Sequence, residues 1–277
     1  MLSAGRAAVL GSPISHSLSP VLHRAAYASS GLDGWTYEAI EVHDDAGLRA
    51  VLAGEWAGLS LTMPLKRLVQ PMLDVVTDLA RDVGAVNTVT FTPAGRVGHN
   101  TDVEGIVRAL GEGGVTAVAP GGGCIVGGGA TAASALAALA SLGDRDPVVV
   151  VRDAARATDL LAAAERLGSS PRLVAWEPGP LATADVVVST VPASAGGSVV
   201  RLVPATTEAV LLDVVYNPWP TGLADAWLTA GGTVVGGFAM LLHQAVAQVR
   251  LMTGGDPSVE AMRTAGLAEL ARRGVQD

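Results

Sequence analysis

Lys66 is the side chain of this sequence best suited to proton transfer, because it is the only lysine among 18 basic residues. An arginine holds its proton with a pKa above about 12, whereas a partly buried lysine loses its proton much more readily. A composition that uses arginine at every other basic position and keeps one lysine points to a chemical role, with chance survival as the alternative. The sequence therefore predicts that Lys66 donates a proton or stabilises a negative charge.

Two of the three asparagines of the chain lie, like Lys66, in polar segments near the ends of predicted strands. Asn87 stands in the segment GAVNT, and Asn100 stands in the segment GHNTD together with Asp102. Ligands of open α/β sheets bind beyond the carboxyl ends of the strands, so these segments are candidates for a binding site. The concentration of rare polar residues there predicts a site for a small polar molecule.

The segment GSPISHSLSP, over residues 11–20, contributes a further pair of polar residues, Ser17 and Ser19. Both stand at the start of a predicted helix, where two hydroxyl groups and the helix N-terminus can bind a carboxylate. The commoner role of a serine at the position of Ser19 is a helix cap, which stays open as the alternative.

A glycine-rich turn over residues 127–132 has the pattern of a dinucleotide site. Its sequence, GGGATA, matches G-x-G-x-x-A, follows the apolar run CIV and opens an alanine-rich helical pattern. Glycines at the fixed positions permit a tight turn and let backbone N–H groups approach a pyrophosphate. The flanking strand and helix favour this interpretation over a flexible turn, and they make Gly127, Gly128, Gly129 and Ala130 candidate phosphate contacts.

The residues that follow the next predicted strand bear on which dinucleotide binds. NAD sites usually place an acidic residue there for the ribose 2′-hydroxyl, whereas NADP sites place arginine there for the 2′-phosphate. Arg152 and Arg156 lie four residues apart and can share one face of a helix start. Asp153 could instead bind the NAD ribose, and a solvated charge cluster is the third alternative.

Short apolar runs that alternate with amphipathic stretches predict two α/β series. The first series has strands at 7–11, 35–41, 58–62 and 85–91, with helices at 20–30, 46–53 and 68–79. The second has strands at 124–126, 147–151, 184–189, 210–214 and 233–235, with helices at 132–142 and 155–167. Strands separated by helices indicate a mainly parallel sheet in each series.

The predicted fold class is therefore α/β with two domains, the second of Rossmann type. Residues 1–104 are expected to form the first, substrate-binding domain, and 105–237 the dinucleotide-binding domain. Residues 238–277, with helices at 238–253 and 257–273, are expected to return to the first domain.

Composition excludes several classes of partner. The net charge of −8 argues against a nucleic acid or an anionic membrane surface. The uncharged stretch 113–143 is long enough to span a bilayer, but nine glycines and Pro120 would break such a helix. The single cysteine, Cys124, excludes an internal disulfide and fits the cytoplasm. The five histidines show no metal-ligand spacing, so no metal is expected.

Seven segments, in order along the chain, resemble the shikimate dehydrogenase family. They are GSPISHSLSP, LTMPLK, GAVNT, GHNTD, GGGAT, DVVYNPWPT and GGFAMLLHQA, and they span nearly the whole sequence. The resemblance implies a two-domain fold with NADP(H) as cofactor. It also implies the reduction of 3-dehydroshikimate to shikimate, a step of the route to chorismate and the aromatic amino acids.

The resemblance further implies roles for individual residues. Lys66 and Asp102 would be the catalytic pair, in which Asp102 orients Lys66 and favours its charged form. The substrate ligands would be Ser17, Ser19, Ser60, Thr62, Lys66, Asn87, Asp102, Tyr216 and Gln244. The cofactor ligands would be Gly127, Gly128, Gly129, Ala130, Arg152, Arg156, Thr190, Val191, Pro192, Val214, Gly237 and Met240.

Some positions depart from the commonest family pattern. Ser60 stands where many members have asparagine, Ala130 replaces the last glycine of the turn, and Asp153 follows Arg152 where threonine is common. The alternatives are an NAD-dependent quinate/shikimate dehydrogenase and a ligand-binding relative without turnover. A methylene-tetrahydrofolate dehydrogenase also uses a lysine but fits the serine pair poorly. The oligomeric state is open, with a homodimer as one option.

Overall fold

The computed structural model of the protein describes residues 4–177 and 179–275. Its strands are β1 (Arg6–Gly11), β2 (Thr36–Glu41), β3 (Gly58–Leu61), β4 (Val75–Val76), β5 (Thr88–Thr92), β6 (Gly95–His99), β7 (Gly123–Val126), β8 (Val148–Val150), β9 (Arg172–Val174), β10 (Val186–Ser189), β11 (Val210–Asp213) and β12 (Thr233–Gly236).

The α-helices are α1 (Ser19–Ser29), α2 (Asp45–Leu52), α3 (Leu65–Leu68), α4 (Asp78–Val83), α5 (Asp102–Glu112), α6 (Ala130–Ser141), α7 (Thr158–Leu167), α8 (Gly179–Ala182), α9 (Gly196–Val199), α10 (Gly222–Thr229), α11 (Gly237–Thr253) and α12 (Val259–Arg272). Four 3₁₀ turns occupy Gln70–Met72, Ala154–Ala157, Ala193–Ala195 and Val200–Leu202.

Internal contacts divide the chain into two units. The first unit runs to Thr101 and resumes over Leu242–Arg272, and the second comprises Asp102–Leu241 with the residues from Arg273 onward. Helix α11 therefore begins in the second unit and ends in the first. Helix α12 packs on α1 within the first unit.

The first unit contains a six-stranded sheet in the order β2-β1-β3-β5-β6-β4. Strands β1, β2 and β3 are parallel to one another, and β5 runs antiparallel to both β3 and β6. The start of β5 therefore lies beside the ends of β3 and β6. Strands β1, β3 and β6 end, and β5 begins, at Gly11, Leu61, His99 and Thr88, respectively. We call this end of the sheet the first-unit edge.

A buried cluster beneath this sheet holds the first-unit edge in place. It includes Leu10 of β1, Leu48 of α2, Leu59 of β3 and Leu65 of α3, none of which exposes any surface. Helix α2 begins after Asp44, whose side chain accepts a hydrogen bond of 2.8 Å from the Gly47 N–H. The short helix α3 is thus anchored to the sheet through Leu65.

The predicted helix at 68–79 is wrong. Helix α3 ends at Leu68, and a 3₁₀ turn at Gln70–Met72, the extended Leu73 and the two-residue strand β4 follow before α4 begins. Pro71 has no backbone N–H and cannot continue a helix, and β4 gains hydrogen bonds from pairing with β6. The apolar residues whose spacing suggested one helix lie instead in three short elements.

The second unit contains a sheet of six parallel strands in the order β12-β11-β10-β7-β8-β9. Read from β9 and renumbered within the unit, this order is 3-2-1-4-5-6, the arrangement of a Rossmann domain. Its core includes the fully buried Trp227, whose indole N–H donates to the Ala209 carbonyl at 3.0 Å. The predicted α/β fold class is confirmed.

None of the helices in the described parts of the chain has the length and hydropathy that a membrane span requires.

Candidate active site

The loops after β1 and β3 are joined at the first-unit edge by backbone hydrogen bonds. The Ser12 N–H donates to the Met63 carbonyl, and the Thr62 N–H donates to the Leu10 carbonyl, each at 2.9 Å. A Cβ atom on Gly11 would collide with the Thr62 side chain, so glycine allows the two loops to approach each other. The predicted ligand Thr62 is half-buried at this junction.

Ser17 and Ser19 lie where the β1 loop enters α1. The residue at the N-cap position is Leu18, and the Ser17 hydroxyl accepts a hydrogen bond of 3.2 Å from the Ser19 N–H. Ser19 is therefore the first residue of the helix and not its N-cap. Ser19 itself is buried, and its side chain lies beside the Tyr37 hydroxyl.

Lys66 is held at the first-unit edge through the backbone of α3. Its carbonyl accepts a hydrogen bond of 2.8 Å from the Val86 N–H, and the Gln70 side chain donates to the Gly84 carbonyl at 2.8 Å. These bonds tie α3 to the loop that precedes β5, so that Lys66 is bonded to the residue immediately before Asn87. The Lys66 side chain is half-buried.

Asn87 connects three parts of the first-unit edge. Its Oδ1 accepts hydrogen bonds from the Thr101 N–H at 2.8 Å and the Thr88 hydroxyl at 2.9 Å. A backbone N–H can only donate, so the oxygen of the amide must face Thr101. The Nδ2 atom consequently points toward Gln244 and donates to its Oε1 at 3.4 Å. Antiparallel β5 brings Asn87 to this place, because its start adjoins the ends of β3 and β6.

Ser60 points into the protein interior. Its hydroxyl accepts a hydrogen bond of 2.7 Å from the Tyr37 hydroxyl and donates one of 2.8 Å to Gln248 Oε1. All three side chains are buried. Sequence reasoning did not single out Tyr37 or Gln248, although Gln248 follows Gln244 by four residues and therefore shares its helix face.

His23, one turn after Ser19 on α1, is a buried neutral base. Its Nδ1 lies 2.9 Å from the Ser19 carbonyl, which can only accept, so Nδ1 carries the proton. The ring stacks on Tyr37 with centroids 3.8 Å apart and meets the edge of Tyr27, and Nε2 has no hydrogen-bond partner within the described residues. Burial lowers the pKa of His23 from 6.5 to about 4.

We expect His23 to destabilise the fold in acid. Between pH 6.5 and about 4 the unfolded chain binds a proton that the folded chain excludes, so stability falls as the pH is lowered through this window. When the pH is lowered from 7 to 4.5, the free energy of unfolding should fall by about 2 to 3 kcal/mol less in His23→Phe than in wild type. Phenylalanine preserves the stack on Tyr37 and cannot titrate. Replacement of the exposed His43 by glutamine is the control, and equal losses in wild type and His23→Phe would contradict the prediction.

The glycine turn of the second unit joins β7 to α6 through a backbone that requires glycine. Gly127 has φ +119°, its N–H donates to the Val150 carbonyl at 2.9 Å, and a Cβ atom there would collide with the Thr190 side chain. Gly129 is the N-cap of the twelve-residue helix α6. A residue with a side chain is therefore strained at Gly127, whereas Ala130 is accommodated as the first residue of the helix.

Other predicted cofactor ligands gather at the carboxyl ends of the neighbouring strands of the second unit. β7 and β10 pair in parallel at the switch point of the strand order, and the Thr190 hydroxyl donates to the Val126 carbonyl at 3.0 Å. A Cβ atom on Gly237 would collide with the Val214 carbonyl, so glycine is required where α11 starts. The residues at this edge are Gly127, Gly128, Gly129, Ala130, Arg152, Thr190, Val191, Pro192, Val214 and Gly237, with Met240 in the first turn of α11.

Arg152 follows β8 with an exposed side chain, and its guanidinium lies 5.8 Å from the ring centroid of Trp176. The Asp153 carboxylate accepts a hydrogen bond of 3.0 Å from the Ala155 N–H and caps the following turn. This cap engages Oδ1 of the carboxylate. The Arg156 side chain lies outside the described residues.

Asp102 and Tyr216 also belong to the second unit. Asp102 is the first residue of α5 and is buried, and it follows Thr101, which is bonded to Asn87. Tyr216 lies in the loop after β11. The buried Asp213 holds that loop through hydrogen bonds from the Thr221 hydroxyl at 2.7 Å and the Val215 N–H at 3.2 Å.

The structure thus divides the predicted site residues between the units. The first unit holds Ser17, Ser19, Ser60, Thr62, Lys66, Asn87 and Gln244. The second holds Asp102, Tyr216 and the cofactor residues. Over residues 4–177 and 179–275 no cluster of histidine, cysteine, aspartate or glutamate has the arrangement of a metal site.

Two family profiles match the chain. The profile described as the shikimate dehydrogenase substrate binding domain covers residues 9–89, and the profile of the shikimate 5′-dehydrogenase C-terminal domain covers 237–265. A curated relative, the NADP(+) shikimate dehydrogenase of Methanothermobacter thermautotrophicus, is 34% identical over 277 residues, with 93% of this chain and 94% of that protein aligned.

Solved structures agree with this relationship. The shikimate dehydrogenase of Mycobacterium tuberculosis has a TM-score of 0.83 and 43% identity, over 96% of this chain and 99% of that one. The enzyme of Thermus thermophilus, solved with NADP(H) and shikimate, has a TM-score of 0.80 and 32% identity, over 98% and 99%. Similarity of this extent over both whole chains shows that this protein belongs to the shikimate dehydrogenase family.

Proposed function

We propose that this protein catalyses the reversible, NADP(H)-dependent reduction of 3-dehydroshikimate to shikimate. The observation that carries the proposal is the polar cluster at the first-unit edge, where Asn87, Gln244 and the backbone of Lys66 are joined within a few hydrogen bonds. A second unit with Rossmann strand order accompanies this cluster. The relatives named for this reaction with NADP(+) supply the substrate and the cofactor.

The residues of the second unit fit a dinucleotide. Gly127, whose positive φ favours glycine, precedes the twelve-residue helix α6, whose N-terminus would attract a pyrophosphate. The exposed guanidinium of Arg152 would bind the 2′-phosphate of NADP, with Arg156 as its proposed second partner. Gly237 would lie beside the nicotinamide, and Met240 is a further proposed cofactor ligand. When bound, NADPH supplies the hydride that reduces the ring ketone.

The proposed substrate ligands are matched to the groups of a polyhydroxylated carboxylic acid. Ser17 and Ser19 would hold the carboxylate near the N-terminus of α1. Thr62, Asn87, Asp102 and Gln244 would contact the ring hydroxyl groups, and Tyr216 would border the substrate. Gln244 Oε1 accepts a hydrogen bond of 3.4 Å from Asn87 Nδ2, which places the two proposed ligands side by side.

Lys66 and Asp102 are the proposed catalytic pair. In the reducing direction the Lys66 ammonium would stabilise the negative charge that develops on the ketone oxygen and would give that oxygen a proton. In the oxidising direction the neutral amine would accept the proton of the hydroxyl group. Asp102 is the proposed partner of Lys66 in this proton transfer.

A single assay tests the function. Absorbance at 340 nm should rise when purified protein is mixed with shikimate and NADP+, and it should rise much more slowly with quinate or with NAD. Faster oxidation of quinate with NAD than of shikimate with NADP+ would establish the alternative quinate/shikimate dehydrogenase instead. Ligand binding without turnover in any combination would identify a non-catalytic relative.

We further propose a cytoplasmic location, which the single buried cysteine and a biosynthetic reaction support. A homodimer is the proposed assembly, and light scattering on the purified protein would measure it directly.

A further inference from the structure

A chain of buried hydrogen bonds crosses the first unit behind the proposed substrate ligands. The Tyr37 hydroxyl of β2 donates to Ser60 of β3 at 2.7 Å, and the Ser60 hydroxyl donates to Gln248 Oε1 of α11 at 2.8 Å. Gln248 Nε2 in turn donates to the Asn87 carbonyl at 3.4 Å. The chain thereby connects β2, β3 and α11 with the residue that contacts Gln244.

The direction of every bond in this chain follows from its last member. A backbone carbonyl can only accept, so Gln248 must present Nε2 to Asn87 and Oε1 to Ser60. Ser60 then has to donate its single proton to Gln248 and must accept from Tyr37. Tyr37 must therefore keep its phenolic proton, and burial raises the pKa of this hydroxyl far above its usual range.

The chain bears on the orientation of Asn87 and Gln244. Gln244 and Gln248 lie four residues apart on α11 and so face the same side of the helix. Gln248 binds the backbone of Asn87, and the side chain of Asn87 binds Gln244. Fixing Gln248 therefore fixes the rotation of α11 relative to the loop before β5, which sets where the Gln244 amide points.

We propose that Gln248, supported by Ser60 and Tyr37, is a positioning residue for the substrate ligands Asn87 and Gln244. Ser60 in this role acts through Gln248 and does not bind the substrate. Serine fits between Tyr37 and Gln248 at this buried position and is hydrogen-bonded to both. The proposal rests on the proposed function, because it concerns ligands of the shikimate ring.

Kinetics of Gln248→Met test the proposal. Methionine fills a similar volume without hydrogen bonds, so we expect the KM for shikimate to rise about tenfold, the value for one lost binding hydrogen bond. The kcat should change less than twofold and the KM for NADP+ should not change. The control is Val249→Ala, which removes buried volume from the same helix and should lower the melting temperature without raising the KM for shikimate.

A double-mutant cycle separates positioning from general stability. Because Gln248 acts in part through Gln244, Gln248→Met should raise the KM by a smaller factor in a Gln244→Ala background than in wild type. Ser60→Ala should raise the KM as Gln248→Met does, and Ser60→Thr, which keeps the hydroxyl, should restore at least part of the affinity. Additive effects of the Gln244 and Gln248 substitutions, or an unchanged KM in Gln248→Met, would overturn the proposal.

The amide resonances of the ligand-free protein test the positioning role separately from the proposed activity. The side-chain amide resonances of Asn87 and Gln244, assigned by comparison with Asn87→Ala and Gln244→Ala, should shift in Gln248→Met and not in Val249→Ala. If wild type fails to oxidise shikimate while these resonances shift, the proposed function is wrong and the positioning holds. Unshifted resonances would overturn the positioning whatever the activity.

Discussion

Replacement of Lys66 by arginine is expected to lower kcat for shikimate oxidation at least a hundredfold. Arginine preserves the positive charge at this position but does not lose its proton at any pH at which the enzyme is folded. General acid–base catalysis contributes about 10²- to 10⁴-fold to such reactions, so the loss should fall in this range. Steady-state kinetics with NADP+ at saturating shikimate provide the measurement.

Two comparisons make the Lys66 prediction specific. Arg67→Lys changes a basic residue on the same short helix and should leave kcat within about twofold of wild type. Asp102→Asn in a Lys66→Arg background should cost less than it does alone, because residues that act as a unit show non-additive losses. Near wild-type turnover of Lys66→Arg would show that the lysine only anchors charge and would remove it as the proton donor.

Arg152→Gln is expected to abolish most of the preference for NADP+ over NAD. A hydrogen bond to a charged group contributes about 1.5 to 3 kcal/mol, so the KM for NADP+ should rise about 10- to 140-fold. The KM for NAD should change little, because NAD has no 2′-phosphate. Trp176→Leu should raise the KM for NADP+ by a smaller factor, since the indole lies beside the Arg152 guanidinium and restricts its motion.

The control for Arg152 is Arg166→Gln, which removes the same charge from the last turn of α7. It should affect neither cofactor. A second comparison uses Asp153→Ala, which removes the cap on the Ala155 N–H and tests whether this carboxylate contributes to cofactor choice. If Arg152→Gln raises the KM values for NADP+ and NAD equally, the Arg152 guanidinium does not bind the 2′-phosphate.

Local patterns predicted much of the fold. The apolar runs that became β1, β7, β10 and β11 are short, continuous and flanked by turn residues, because strands inside parallel sheets are buried on both faces. The glycine turn at 127–132 was recognisable because its strand, turn and helix are contiguous. The prediction of a helix at 68–79 was wrong because Pro71 and a two-residue strand interrupt residues whose apolar spacing is that of a helix.

The amino-acid sequence specifies which chemical groups this protein has, including a single lysine, a serine pair, two asparagines in polar loops and a glycine turn after a strand. Which of these groups meet is set by the tertiary structure. Antiparallel β5 places Asn87 at the end of β3, and a helix far along the chain brings Gln244 to it. Ser60, predicted to be a substrate ligand, is hydrogen-bonded to Tyr37 and Gln248. The sequence could not show this, because a hydrogen bond between residues 188 positions apart depends on packing and leaves no local pattern.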